Sequence, residues 1–178
     1  MLEFGIGLVL VLVVAMLALV GYAATKPKTF SVTRSQSIAA PADRIYPLIA
    51  NLRLMNTWNP FVKPDPNIAI EYLGPESGTG ARHTWRGDRN VGEGQIVIVH
   101  AAPPHRIMMK LDMLKPMEAH NDVVFTLEPG PDGTLVTWSM SGTQPLLGKV
   151  MSTFIDCDKM VGGMFEQGLR DLEAKAEA

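Results

Sequence analysis

One acidic residue near the carboxyl end, Asp158, has the setting in this chain that most suggests chemistry. At about 100° per residue it falls close to the centre of an apolar helical stripe, between Phe154, Val161 and Phe165. A carboxylate buried there without a partner would cost several kcal/mol or have a raised pKa. Asp158 is therefore a weak catalytic candidate, as an acid or base, or a residue that orients a polar head group. The alternative is a salt-bridged helix residue near the rim of the interior.

The partner that such a carboxylate would need is not settled by the sequence. His83, His120 and Arg82 lie on or beside predicted strands, yet the strand period does not decide which of them faces inward. Other catalytic and metal-binding motifs are absent from the sequence. Cys157 is the only cysteine, no Cys/His spacing suits zinc, and no nucleophile or phosphate-binding motif occurs. We therefore expect no metal and no cofactor.

Large apolar side chains form the candidate walls of a ligand site. Trp58, Trp85 and Trp138 lie beside or within predicted strands and turns, where they would either face a ligand or pack an ordinary core. The eleven methionines would adapt to a variable apolar partner or simply fill gaps. The candidate ligand-binding residues are Trp58, Trp85, Met109, Leu111, Phe125, Trp138, Met140, Met151, Phe154, Asp158 and Phe165.

The hydrophobic pattern predicts the elements that would position these side chains. Phe30–Ile38 alternates like a strand, and a helix follows from Pro41 to Leu52, short or kinked because it contains Pro47. A second short helix or turn is expected over Leu54–Trp58. Clusters of turn residues then separate six strands of an antiparallel meander. Those strands are predicted at 68–73, 80–86, 91–101, 106–114, 119–128 and 134–142.

The residues after Pro145 predict one long amphipathic helix that runs to the carboxyl end. Its apolar stripe contains Leu147, Met151, Phe154, Val161, Phe165, Leu169 and Leu172. A curved antiparallel sheet can bury its inner face by wrapping around such a helix. The predicted fold is therefore α+β, in the order β-α-α-β6-α.

The amino-terminal segment differs from the rest of the chain. Phe4–Ala24 contains no charged residue, and as a helix it would span ~31 Å, against about 30 Å for the hydrocarbon core of a bilayer. A cleaved signal peptide is the alternative, disfavoured by Glu3 and by the length of the apolar run. Lys26, Lys28 and Arg34 follow the segment, so the positive-inside rule places the domain in the cytoplasm. We predict a single-pass inner-membrane protein with a transmembrane helix at 4–24, a linker at 25–28 and a ligand-binding domain at 29–178.

Overall composition excludes several classes of protein. The 178 residues are 47% hydrophobic and 19% charged, which is too apolar for a disordered chain. A net charge of -2 leaves no global basic field to hold a phosphate backbone, so nucleic acid is not an expected partner.

The element order and several local sequences resemble the START-like or SRPBCC helix-grip superfamily, in particular its polyketide cyclase/dehydrase branch. The matching segments are IAAPADRIYPLIANL (38–52), WNP (58–60), GTGARHTWRG (78–87), GTLVTWSMSG (133–142) and DKMVGGMFEQGLRDLE (158–173). This resemblance implies a deep apolar cavity between the sheet and the terminal helix. Relatives use that cavity for sterols, lipids, polyketides, hormones or aromatic small molecules, and no fixed catalytic set spans the superfamily.

These expectations favour a membrane-anchored protein that binds an apolar or amphipathic small molecule, such as a lipid, quinone, isoprenoid or polyketide-like compound. The anchor would keep the mouth of the cavity near the bilayer, where such ligands concentrate. Two alternatives stay open: an accessory subunit of a larger membrane complex, and an enzyme of the cyclase or dehydratase type, a lyase or isomerase. Binding is favoured over catalysis because the sequence offers only one acid/base candidate.

Overall fold

In a computed structural model, seven antiparallel strands form one sheet in the order β1-β7-β6-β5-β4-β3-β2. The backbone is described for residues 2–153 and 156–178, and the side chains for 11–146, 148–150, 152, 153, 156 and 158–178. The strands are β1 Thr29–Ile38, β2 Ala69–Leu73, β3 Arg82–Arg86, β4 Glu93–Ala102, β5 Arg106–Lys115, β6 Ala119–Gly130 and β7 Gly133–Thr143. The helices are α1 Leu2–Thr25, α2 Ala42–Ala50, α3 Leu52–Met55, α4 Leu146–Met151 and α5 Cys157–Glu177.

The predicted α+β helix-grip fold is confirmed. Each strand begins and ends within two residues of its predicted bounds. Strands β2 to β7 follow one another as a meander, whereas β1 pairs with β7, the last strand of the chain. The segment with α2 and α3 therefore connects the two opposite edges of the sheet, because β1 lies at one edge and β2 at the other.

The first helical region is divided at Asn51. Its side-chain oxygen accepts hydrogen bonds from the N–H groups of Arg53 and Leu54, at 2.9 and 3.2 Å, and so caps the start of α3. Helix α2 therefore ends at Ala50, earlier than predicted, and the second helix begins at Leu52 rather than Leu54.

The prediction of one continuous helix after Pro145 was wrong. Helix α4 ends at Met151, and α5 begins at Cys157. The side chain of Asp156 accepts a hydrogen bond from the N–H of Lys159 at 3.0 Å, which caps the start of a new helix. Of the predicted apolar stripe, Phe165, Leu169 and Leu172 are fully buried on α5, which packs against β1 and α2.

Helix α1 makes its main contact with α4. Within the described part of the chain, no helix is long and apolar enough to cross a membrane. The side chains described in α1 begin at Val11, and large apolar ones are exposed, for example Leu12, Met16 and Leu17 at 59%, 66% and 66%. The structure does not support the transmembrane anchor, which stays a prediction.

Candidate functional site

A cavity of about 290 Å³ lies between the inner face of the sheet and the first half of α5. Strands β3 to β7 supply most of its lining, and α5 contributes Val161 and Phe165. The lining is mostly apolar: among the described residues around the cavity there is no Lys, Arg, Asp or Glu. Such an interior favours the uncharged part of a ligand.

The cavity occupies only one end of the inner face of the sheet. Along β5, Ile107 and Met109 are buried in the core, whereas Leu111 and Met113 are partly exposed and line the cavity. Along β6, Phe125 is buried in the core, whereas Asn121 and Val123 line the cavity. The interior is therefore solid at one end and hollow at the other.

An aromatic cluster separates the solid end from the hollow one. The rings of Trp138 and Phe165 stack with their centroids 4.1 Å apart and their planes 8° from parallel. Trp58 and Phe125 pack against Trp138, with centroids 5.8 and 4.9 Å away. A Cβ atom at Gly168 would approach the Trp138 ring to 2.7 Å, so this glycine lets α5 lie close enough for the stack.

The mouth of the cavity is marked by its more exposed lining residues. Phe61 is 38% exposed and Asn90 is also exposed, whereas Val62, Val91 and Val161 are half-buried. Phe61 also packs edge-on against Trp138 and Phe165, at centroid distances of 6.1 and 6.2 Å. A ligand would enter between the loop after α3, the β3–β4 turn and the start of α5.

His83 is a buried polar residue in this mostly apolar lining. It is 4% exposed, and burial lowers the pKa of its imidazole to about 4, so the ring is neutral at pH 7. The Nδ2 of Asn56 donates a hydrogen bond to Nδ1 of His83 at 3.2 Å. Because Nδ1 is the acceptor, the proton of the neutral ring is on Nε2, which has no hydrogen-bond partner among the described residues.

Two further polar atoms of the lining residues are buried without partners. The Oδ1 of Asn121, a residue 8% exposed, and the Nε1 of Trp138, a residue 3% exposed, find no hydrogen bond within the described part of the chain. A Cβ atom at Gly142, which lies opposite Asn121 on β7, would collide with that Oδ1. Gly142 thus leaves room for the Asn121 amide to lie across the neighbouring strand. Unpaired buried polar atoms are uncommon, since each costs about 1–3 kcal/mol.

The predicted ligand-binding residues other than Asp158 fall into three groups. Those that line the cavity are Trp85, Leu111, Trp138, Met140 and Phe165. Those that lie in the core outside the cavity lining are Trp58, Met109 and Phe125. The side chain of Met151 and the whole of Phe154 lie outside the described residues.

The interpretation of Asp158 as an inward-facing carboxylate was wrong. Its side chain is 59% exposed and forms an ion pair with Arg34 at 2.9 Å, and Arg34 also pairs with Glu166 at 2.9 Å. The hydrogen bonds from Arg34 hold the pKa of Asp158 below its ordinary value. Asp158 shares a face with Phe165 but stands in the first turn of α5, where side chains lean toward the helix start. That position puts it at the edge strand β1, where it forms a salt bridge outside the cavity lining.

None of the three partners considered for Asp158 contacts it. His83 faces the cavity, His120 pairs with Asp112 at 2.7 Å, and Arg82 is exposed. The actual partner, Arg34, lies opposite Trp138 in the β1–β7 register and therefore on the face that α5 covers.

The period of two could have identified several lining residues that the sequence interpretation missed. Asn121 is an even number of residues from Val123 and Phe125, which were predicted to face inward, so it lies on the same face of its strand. His83 is likewise two residues from Trp85. Asn59 and Phe61 lie in the loop after α3, where no periodic signal exists.

Comparisons with known proteins agree with this architecture. The model of the polyketide cyclase / dehydrase and lipid transport family matches residues 29–177. No curated protein matches the chain in sequence. Among solved structures, a protein of Mesorhizobium loti superposes with a TM-score of 0.62 at 16% identity, over 83% of this chain and 97% of that one.

Two plant proteins are similar to a comparable degree. Norcoclaurine synthase from Thalictrum flavum, solved in complex with dopamine and hydroxybenzaldehyde, has a TM-score of 0.62 at 14% identity, over 82% of this chain and 85% of that one. The major latex-like protein 151 from Panax ginseng has a TM-score of 0.58 at 14% identity, over 83% and 97%. At these identities the likeness shows the fold alone.

Proposed function

Since the chain belongs to the polyketide cyclase / dehydrase and lipid transport family, we propose that its cavity binds a hydrophobic small molecule. The observation that carries this proposal is the unfilled apolar space of about 290 Å³ beneath α5. Protein interiors are normally packed as densely as organic crystals, with few voids larger than a water molecule. A void of this size lined by Leu111, Val123 and Met140 is better suited to an apolar guest than to water.

The volume limits the size of the enclosed part of the ligand. An apolar cavity of about 150 Å³ accommodates benzene, and ligand pockets generally measure about 300–1,000 Å³. The cavity is therefore matched to a molecule of about two fused rings. A longer compound such as a lipid would extend through the mouth past Phe61.

Binding without turnover is the simpler proposal for this site. Asp158, the one acid/base candidate from the sequence, is on the surface, and the imidazole of His83 is only a weak base because burial lowers its pKa to about 4. A cyclase or dehydratase would need acid or base groups within hydrogen-bond reach of the reacting atoms. This arrangement favours a binding protein of the family over the enzyme alternative.

Blocking the mouth tests the proposal. Val161 lines the cavity from α5 and is half-buried, whereas its neighbour Met160 is 60% exposed and outside the lining. We expect Val161→Trp to abolish saturable binding of naphthalene to the full chain, measured by equilibrium dialysis. Met160→Trp, the matched control, should bind like the unaltered protein.

The same three proteins can be extracted and their bound small molecules quantified by mass spectrometry. A stoichiometric hydrophobic compound in the unaltered chain and in Met160→Trp, but not in Val161→Trp, would support the proposal. Equal naphthalene binding by all three proteins would contradict it, because naphthalene would then bind somewhere other than the cavity.

We also propose that α1 attaches the protein to the inner membrane, with the binding domain in the cytoplasm. The exposed apolar side chains of α1 support this proposal, since such a surface usually contacts a lipid or a protein partner. A lysine on the apolar surface of α1 would have to leave water wherever that surface contacts lipid, and burying an unpaired charge costs free energy. The double substitution Val14→Lys with Leu17→Lys should therefore release the chain from the membrane fraction.

The apolar double substitution Val14→Ile with Leu17→Met is the matched control and should leave the chain in the membrane fraction. If both variants and the unaltered chain are found in the soluble fraction, membrane attachment is refuted. Release from lipid by detergent in a complex with other proteins would favour the accessory-subunit alternative.

A further inference from the structure

The imidazole of His83 has one nitrogen that the described residues do not use. Its Nδ1 accepts a hydrogen bond from Nδ2 of Asn56 at 3.2 Å, and the same Nδ2 donates to the hydroxyl oxygen of Tyr72 at 3.0 Å. Because Nδ1 is occupied as an acceptor, the proton of the neutral ring is on Nε2. This N–H is a donor that remains free for another molecule.

Nε2 of His83 is accessible from the cavity. Within the described part of the chain, the fully enclosed side-chain polar atoms without a hydrogen bond belong to Tyr46, Asn121 and Trp138. Nε2 of His83 also has no hydrogen bond to a described residue, but it is not fully enclosed. The residue lines the cavity and is only 4% exposed, so the accessible surface of Nε2 opens into the cavity. A ligand can therefore reach this donor.

Neighbouring rings hold the imidazole in place. Tyr72 and Trp85 pack edge-on against it, with ring centroids 5.7 and 5.8 Å away. Together with the hydrogen bond from Asn56, these contacts fix the direction of the Nε2–H bond. A donor that is already oriented costs little conformational entropy when a ligand binds to it.

The surface beside this donor is apolar. The β-sheet register places His83, Ile96 and Leu111 in one row across strands β3 to β5, and all three residues line the cavity. An apolar ring that lies over Ile96 and Leu111 would therefore have its edge next to the His83 donor. The site is suited to a molecule with an apolar body and a polar atom at one end.

The polar atom of that molecule is uncharged. The described lining residues include no Lys, Arg, Asp or Glu, and His83 is neutral at pH 7 because burial lowers its pKa to about 4. A carboxylate or phosphate placed there would lose its hydration and gain one neutral donor but no opposite charge.

We propose, building on the function proposed above, that the natural ligand is an uncharged and mainly apolar molecule with an acceptor oxygen such as a carbonyl, and that His83 binds this oxygen. The Nε2–H group donates to the oxygen while the apolar body lies over Ile96 and Leu111. A hydrocarbon without an acceptor displaces water from the cavity and leaves the buried donor unpaired, so the site discriminates against it.

Two probes of nearly equal shape test this selectivity on the full chain. 2-Acetylnaphthalene has a C=O group where 2-isopropenylnaphthalene has C=CH2, and equilibrium dialysis gives the ratio of their affinities. We expect the preference for the ketone to fall at least about fivefold in His83→Phe, which keeps a flat ring but has no donor. His100→Phe, at an exposed histidine outside the cavity lining, should leave the ratio unchanged.

The carbonyl stretch of bound 2-acetylnaphthalene gives a second readout. A hydrogen bond to the oxygen lowers the frequency of this stretch, which isotope-edited infrared difference spectroscopy measures. The frequency should be lower on the unaltered chain than in hexane, and in His83→Phe it should return toward the hexane value. The measurement on the unaltered chain decides by itself if His83→Phe does not fold.

The outcomes separate this inference from the proposed function. If the affinity ratio is the same in His83→Phe, and the bound carbonyl absorbs as in hexane, while Val161→Trp abolishes binding of both probes, the cavity binds apolar molecules but the role of His83 is refuted. Tighter binding of 2-naphthoate than of 2-acetylnaphthalene would refute the uncharged ligand. If neither probe binds the unaltered chain better than Val161→Trp, both the inference and the proposed function fail.

Discussion

The neutral state of His83 connects the candidate site with the stability of the whole domain. Burial lowers the pKa of its imidazole from 6.5 to about 4. Between these two values the unfolded chain takes up a proton that the folded protein does not accept. His83 therefore makes the folded state less stable as the pH falls from about 6.5 to about 4, and it has no such effect above that range.

We expect the free energy of unfolding to fall by up to about 1.4 kcal/mol per pH unit within this window on account of His83. Urea unfolding of the unaltered chain and of His83→Gln, at several pH values from 7.5 to about 4.5, measures the effect by difference. The variant should have the shallower dependence. Equal slopes in the two proteins would show that His83 is solvated.

His120 provides a control, because its pKa is shifted in the opposite direction to that of His83. Its hydrogen bond with Asp112 raises the pKa of His120, so its contribution to stability is present at low pH and is lost as the pH rises. His120→Gln should therefore not flatten the pH dependence, and it should make the loss of stability on acidification steeper.

Besides the atoms of Asn121 and Trp138, the hydroxyl group of Tyr46 is a third buried polar atom without a partner in the described part of the structure. Burial also raises the pKa of Tyr46. Tyr46→Phe removes the unpaired group, and we expect it to raise the free energy of unfolding by about 1 kcal/mol. In the control Tyr72→Phe a hydrogen bond from Asn56 at 3.0 Å is lost, so stability should fall. A fall for Tyr46→Phe as large as that for Tyr72→Phe would contradict the assignment.

At the scale of elements, two adjacent glycines in α5 differ in what surrounds them. A Cβ atom at Gly163 would meet nothing within 4 Å, whereas one at Gly162 would collide with the guanidinium of Arg34. Arg34 joins edge strand β1 to α5 through Asp158 and Glu166. The guanidinium of Arg34 therefore lies directly against the backbone at Gly162.

We expect Gly163→Ala to raise the free energy of unfolding by about 1 kcal/mol, the ordinary difference between the two residues inside a helix. Gly162→Ala should gain clearly less, because the methyl group displaces Arg34 from both carboxylates. Urea unfolding of the two variants measures the difference. An equal gain at both positions would show that the Arg34 contacts contribute nothing.

The elements could be predicted from the sequence wherever a local signal determines them. Pro-Gly-rich separators mark the turns between strands, and alternation identifies the inward face that carries Met109, Phe125 and Trp138. The interruption before α5 was missed, although Asp156 is a residue type that commonly caps a helix start. Because the apolar stripe was taken as continuous from Leu147 to Leu172, the sequence predicted one helix where the structure has two.

The candidate site was harder to predict than the elements. The two-residue period of a strand identifies which side chains face inward. It does not show which of them pack in the core and which line the cavity. Trp58 fills the core, where it packs edge-on against Phe125 and Trp138, whereas Trp85 lines the cavity. Such differences depend on the curvature of the sheet and on the place where α5 begins, which no local pattern records.

At the scale of the whole molecule, a pair of lysines joins α1 to the domain. Lys149 on α4 is 7% exposed, and its Nζ donates a hydrogen bond to the carbonyl oxygen of Lys26 at 2.8 Å. In return, the Nζ of Lys26 donates to the carbonyl oxygen of Ser152 at 3.0 Å. The end of α1 is thus held against the end of α4.

Lys149→Met keeps the length of the side chain but removes the donor. Because a hydrogen bond to a charged group contributes about 1.5–3 kcal/mol, we expect amide hydrogen exchange around residues 26–28 and 148–152 to become at least about tenfold faster. Exchange in the second half of α5 should not change. The exposed Lys159→Met is the control, and equal protection in both variants would contradict a structural role for Lys149.

These two hydrogen bonds also restrict how the parts of the chain move relative to each other. A flexible tether would let the domain swivel and tumble independently of α1. Here a rotation about residues 26–28 must first break both lysine contacts, so α1 and α4 move together as one pair of helices. If α1 is fixed in a surface, α4 and the end of β7 just before it stay close to that surface.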